Sequence, residues 1–281
     1  MSWAAVLAIG GFYAWATIAP SGYPATLIAA AFLACVVLAL LKVGVRKPVV
    51  YWEAAGSPDQ AGRVGLMILT AVAIQFVAGV CLTHVSELEW LSYLPLYLVV
   101  WFGVPLAFLV FGGVRWPQRL AKPRMSDFLA VAGLAIAFAT AMCFLQMPKV
   151  EAPEAAPSLA EILVACGVKV LGATAEEVVY RVLLLTALLR ASGSRVQALI
   201  ISSTAFALGH VPPAFTIPLA MLDGEMLRFY ATQYFPELVW IIGMGFVFGA
   251  LWLRTGSIAL IVIFHTILNL APALVAGFRG L

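Results

Sequence analysis

The stretch GATAEEVVYRVLLL, residues 172–185, places Glu176, Glu177 and Arg181 inside an apolar run that extends roughly over residues 159–190. An ionisable side chain at bilayer depth costs about 2.5–3.5 kcal/mol on insertion scales, so it faces a partner or a cavity rather than lipid. Glu177 and Arg181 stand at i and i+4 with the acid N-terminal, the favourable order for a pair along one helix face. Glu176 lies about 100° round the helix from Glu177. It therefore faces a different neighbour, and nothing within its own helix answers it.

The rest of the chain explains why charge in this run is costly. Of 281 residues, 64% are hydrophobic and 10% charged, against about 25% charged in soluble domains. A large soluble core would not produce this deficit, because a soluble protein must still wet its surface. The fold class is all-α, a polytopic transmembrane helix bundle. A span needs about 20 apolar residues, and nine candidates follow: roughly 3–20, 23–43, 64–84, 91–112, 127–146, 159–190, 196–211, 236–253 and 256–278. The N-terminus lacks a basic leader region and reads as a first spanning helix rather than a cleaved signal. The chain shows no lipidation motif, repeat or soluble domain. Cys35, Cys81, Cys143 and Cys166 all fall in apolar runs without CxxC spacing, which points neither to disulfides nor to a thiolate metal site. Nucleic acid is not an expected partner; the lipid bilayer is.

Charge gives the expected orientation. With the loop 44–63 in the cytoplasm, the cytoplasmic side carries Lys42, Arg46, Lys47, Arg63, Arg115, Arg119, Lys122, Arg124, Arg190, Arg195 and Arg254. The outer side carries only Lys149, Arg228 and Arg279. This bias predicts an integral membrane protein with its N-terminus cytoplasmic and its C-terminus outside. The outer loop 212–236 is long and partly apolar, and reads either as an interfacial helix or as a lid.

Three later segments carry polar groups that do not belong in lipid. The sixth has Glu176, Glu177 and Arg181; the seventh ends in His210; the ninth has His265 and Asn269. Counting about 1.5 Å per residue from the basic cytoplasmic ends puts Glu176, His210 and Asn269 each roughly 21–22 Å deep, and His265 about 16 Å. His265 and Asn269 share a helix face at i and i+4. Phe206, one turn before His210, shields its side. A carboxylate and an imidazole at one depth form an acid–base set that can take a proton from water. Asn269 and His265 can donate hydrogen bonds to an oxyanion. Together these point to hydrolysis of an acyl bond by activated water. Each group also has a plainer role: Glu177 with Arg181 as a structural ion pair, His210 as an interfacial histidine, Asn269 as interhelical glue. His84 reads as interfacial, Lys169 as a snorkelling surface lysine, and Gly245 with Gly249 as a close helix contact.

In these residues the chain resembles the CPBP family of membrane-embedded CAAX proteases and bacteriocin-processing proteins. Glu176, Glu177 and Arg181 match its EExxxR motif, Phe206 and His210 its FxxxH, and His265 and Asn269 its HxxxN. The likeness covers roughly residues 159–275. It divides the chain into N-terminal transmembrane helices over 1–150, without a specific motif, and a catalytic helix bundle over 159–278. It implies an intramembrane glutamic-type endopeptidase of a bacterial or archaeal plasma membrane. In that family's terms Glu176 and His210 activate water, His265 and Asn269 hold the oxyanion, and Glu177, Arg181 and Phe206 support the site. The implied partner is a protein or peptide substrate in or at the membrane, cut near its C-terminus. No cofactor or metal is expected; zinc is the alternative. A site in the outer half suits substrates presented from outside. Two other functions compete: a proton-coupled transporter, disfavoured because the polar groups cluster in the C-terminal half, and a non-catalytic immunity protein that keeps the fold.

Overall fold

The computed structural model describes residues 59–85, 93–117, 122–146, 158–211 and 224–279. All regular structure among them is helical. There are seven helices: α1 (Gln60–Val85), α2 (residues 93–110), α3 (Met125–Gln146), α4 (residues 159–192), α5 (Arg195–Gly209), α6 (Gly224–Thr255) and α7 (Ile258–Arg279). Each coincides with one of the last seven expected segments. The first two, 3–20 and 23–43, lie outside the described residues, so the count of nine rests on the sequence. Two stretches are long and apolar enough to cross a membrane, Gln60–Cys81 and Leu238–Thr255.

Helix α4 is the axle. It packs against α1, α2, α5, α6 and α7. Val179, Tyr180, Val182, Leu183, Leu184 and Leu185 are all buried, as a helix apolar on every side demands. Two of the connections are tight turns. Gly193, with φ of 62°, ends α4, a left-handed position that glycine takes without a Cβ penalty. Ser194 then caps α5, its hydroxyl accepting from the Gln197 N–H at 3.3 Å. Gly256 (φ 60°) does the same between α6 and α7, its N–H bonded to Trp252 O at 2.8 Å.

The start of α6 corrects the sequence reading. The outer segment 212–236 is helical from Gly224, as the interfacial-helix reading has it, but this helix is continuous with the span expected over 236–253 and not separate from it. Residues 225–235 contain neither Gly nor Pro, and Glu225 in the first turn suits the positive end of the helix dipole. Residues 212–223 lie outside the described ones. At 32 residues, α6 is about 48 Å long, beyond the ~30 Å hydrocarbon thickness, so it tilts or protrudes.

Helices α5 and α6 approach closely at Gly245 and Gly249. A Cβ on Gly245 would lie 2.9 Å from Ser203 Cβ and 3.0 Å from its Cα, atoms that cannot move without the helix. A Cβ on Gly249 would crowd only the far end of the Leu199 side chain, which can rotate away, and would meet Leu185 at an ordinary 3.5 Å. Gly245→Ala is therefore expected to cost about 1–3 kcal/mol. Gly249→Ala is nearly neutral, because a helix-propensity gain of about 0.8–1 kcal/mol offsets the crowding. Thermal unfolding in detergent checks the order; equal melting temperatures for the two variants would contradict this contact.

Candidate active site

Helix α4 changes its winding where the acidic residues sit. It is α-helical over Leu159–Glu177, π-helical over Val178–Leu185 and α-helical again over Thr186–Ser192. Such π segments within α-helices often mark functional sites. Two hydroxyls add bonds to carbonyls of this wider turn. Ser202 of α5 donates to Tyr180 O at 2.7 Å, and Thr186 donates to Arg181 O at 3.3 Å.

Glu177 and Arg181 form the expected pair. Arg181 Nε lies 3.3 Å from Glu177 Oε2, and both side chains are fully buried. The contact is close but poorly aligned: none of the guanidinium nitrogens makes a hydrogen bond among the described residues. Aromatic faces surround the cation instead. Its Cζ lies 4.3 Å from the Phe206 ring centre and 5.5 Å from that of Phe248, within cation–π range. The other oxygen of Glu177, Oε1, accepts from His265 Nδ1 at 2.8 Å. A carboxylate only accepts, so Nδ1 carries a hydrogen.

Glu176 turns to the other side, as its offset around the helix requires. Its Oε2 lies 3.6 Å from His265 Nε2, and its Oε1 lies 4.0 Å from His210 Nε2. His265 thus stands between the two carboxylates, one nitrogen toward each. Phe248 stacks on its ring at 4.4 Å. His210 is oriented from behind: its Nδ1 donates to Phe206 O at 2.8 Å, so Nε2, the nitrogen that faces Glu176, is an acceptor when the ring is neutral. The Phe206 ring meets His210 edge-on at 4.8 Å, the shielding expected of it.

Burial separates two roles. The Glu177–Arg181 pair is sealed at 0% exposure, whereas the side chains of Glu176 and His210 are 18% and 32% exposed. The first pair is closed to solvent and the second is open to it. Asn269 follows His265 by one turn of α7 and is half-buried; among the described residues its amide makes no hydrogen bond. Lys169 is exposed, and His84 falls in the last turn of α1.

The sequence reading missed four neighbours of this cluster. Tyr97 of α2 donates to Glu176 Oε1 at 3.2 Å. Trp101, one turn on, packs against Tyr97 and Tyr180 with ring centres 6.4 and 5.8 Å apart. Its indole donates to Gln75 Oε1 of α1 at 2.9 Å. Phe248 of α6 completes the aromatic wall. Aromatic residues in an apolar span read as ordinary packing, and no spacing ties them to α4; only the glutamine, polar at mid-helix, carried a weak signal.

Comparison with protein families finds one match. Residues 158–271 fit the family described as type II CAAX prenyl endopeptidase, Rce1-like. The matched segment covers α4, α5, α6 and α7 as far as residue 271, and holds Glu176, Glu177, Arg181, Phe206, His210, His265 and Asn269. No curated protein and no solved structure matches the chain.

Removing one partner of a sealed ion pair strands the other. Arg181→Met is expected to destabilise the protein by about 3–5 kcal/mol. The double change Glu177→Gln/Arg181→Met should recover most of that loss, since glutamine still accepts from His265 and no uncompensated charge is left. Melting curves of the purified variants test the recovery; a double variant as unstable as the single one would show that charge pairing is not the cause.

Proposed function

We propose, from the match of residues 158–271 to the Rce1-like family of CAAX proteases, that this membrane protein cleaves peptide bonds with water activated by Glu176 and His210. The observation that carries this is the 4.0 Å between Glu176 Oε1 and His210 Nε2. With the His210 ring neutral both are acceptors, because its one N–H is committed to Phe206 O. Two acceptors cannot bond to each other, but one water can donate to both. With arms of about 2.8 Å, the angle at that water is about 90°, close to its own geometry. Both hydrogens are then held, and a lone pair is free to face a scissile carbonyl.

The chemistry follows from the residues around that position. Glu176 or His210 takes a proton as the water oxygen bonds to the carbonyl carbon. The carbonyl oxygen becomes an oxyanion, and the Asn269 amide and a doubly protonated His265, through Nε2, are the donors assigned to it. The C–N bond then breaks, and the proton taken from water passes to the departing amine. Glu177 accepts from His265 Nδ1 and so fixes the ring, while Arg181 balances the buried charge. The substrate proposed is the C-terminal region of a protein or peptide held in or at the membrane.

Zinc chemistry is not needed for these steps. Protein stripped by a strong chelator is expected to retain its cleavage activity. A loss that added zinc restores would overturn the metal-free reading.

Glu176→Ala and His210→Ala should each lower cleavage by about 10²–10⁴-fold, measured in detergent on quenched peptides with and without a prenylated C-terminal cysteine. Both side chains are partly exposed, so folding and yield should stay near wild type. Cleavage that survives both changes would remove the assignment.

A further inference from the structure

We propose that Tyr97 is a positioning residue for hydrolysis, and that α1 and α2 form part of the working site rather than only a membrane anchor. The inference rests on Glu176 being the carboxylate that activates water. The seven residues matched by the motifs all lie in α4, in α7, or in α5 and its C-cap His210, and none of the six besides Glu176 reaches Glu176 Oε1 within hydrogen-bond distance. Tyr97 does, at 3.2 Å, and a phenol facing a carboxylate can only donate to it.

That bond divides the carboxylate. Oε1 is held by Tyr97 and turned toward His210, while Oε2 is left to His265. A glutamate on an α-helix otherwise swings freely about its last torsion, which is broad and shallow. In this site a free swing would carry Oε1 away from His210, and the place where one water meets both acceptors would be lost. Tyr97 is itself held. Its hydroxyl oxygen sits 3.5 Å from where a Cβ on Gly172 would be, one turn before Glu176, so it lies directly on the α4 backbone. Trp101 packs on its ring and is tied through Gln75 to α1. The chain of support runs from α1 through α2 to the reactive oxygen. Both helices that meet here also change winding two residues later, α2 over Val99–Gly103 and α4 over Val178–Leu185.

Tyr97→Phe keeps the ring and its packing and removes only the donor. Two measurements on the full-length protein test it. Ultraviolet resonance Raman difference spectra, wild type minus Tyr97→Phe, isolate the ring doublet of Tyr97. The doublet should have the form of a phenol donating to an anion, and should lose that form when the same difference is taken in a Glu176→Ala background. A doublet indifferent to Glu176 overturns the proposal. In cleavage assays, Tyr97→Phe should lower kcat by up to about 100-fold with KM within about twofold, the pattern of an interaction that matters to the reaction and not to binding. Trp101→Phe, which keeps an aromatic ring but drops the tie to Gln75, should give a smaller fall of the same kind. Full kcat in Tyr97→Phe, in an enzyme that Glu176→Ala inactivates, overturns the role of Tyr97 alone. Cleavage that persists in Glu176→Ala instead overturns the reading on which it rests.

Discussion

A guanidinium sealed inside a helix bundle must be answered by negative charge. Here the answer is Glu177, one turn earlier on the same helix. Burial of both groups makes the pair costly to assemble and costlier to break, so it fixes which face of α4 points inward. Once that face is fixed, Glu176 is carried about 100° round toward the half-open side, where the histidines of α5 and α7 meet it. His265 joins the two halves of the arrangement, donating to the sealed carboxylate with one nitrogen and facing the accessible one with the other. Phe206 and Phe248 replace water around the cation with aromatic faces.

The helical hairpins set the depth at which these groups meet. Gly193 and Gly256 let α4 turn into α5, and α6 into α7, within two residues. Glu176 and His210 are each 17 residues from Gly193, and His265 and Asn269 are 9 and 13 from Gly256. The short turn at Gly193 therefore converts equal sequence distance into a shared height for Glu176 and His210. The close contact of α5 with α6 at Gly245 brings Phe248 under the same cluster.

The polar cluster of α4, α5 and α7 was legible in the sequence because its signals are local. A charge in an apolar run stands out by composition alone, and pairs at i and i+4 declare a common face before any fold is known. Glu177 with Arg181 and Phe206 with His210 were readable in this way. The separate facing of Glu176 was readable from the turn angle. Tyr97, Trp101 and Phe248 were not, because a tyrosine, a tryptophan or a phenylalanine in a membrane helix costs little and so announces nothing. Their part depends on which helix neighbours α4, and that is decided by packing between segments far apart in the chain. The start of α6 was misplaced for a related reason: polar residues outside the apolar core of a span look like loop, although nothing in 225–235 breaks a helix.

The π winding of α4 has a bearing on how such chains are aligned and compared. Five-residue spacing replaces four-residue spacing over Val178–Leu185, so a helical wheel drawn at 3.6 residues per turn through the whole of α4 drifts by about one residue, or 100°, by the time it reaches Thr186. Residues before 178 and after 185 must be projected on separate wheels. A deletion of one residue within this segment would restore an unbroken α-helix, and would rotate everything on one side of it against everything on the other.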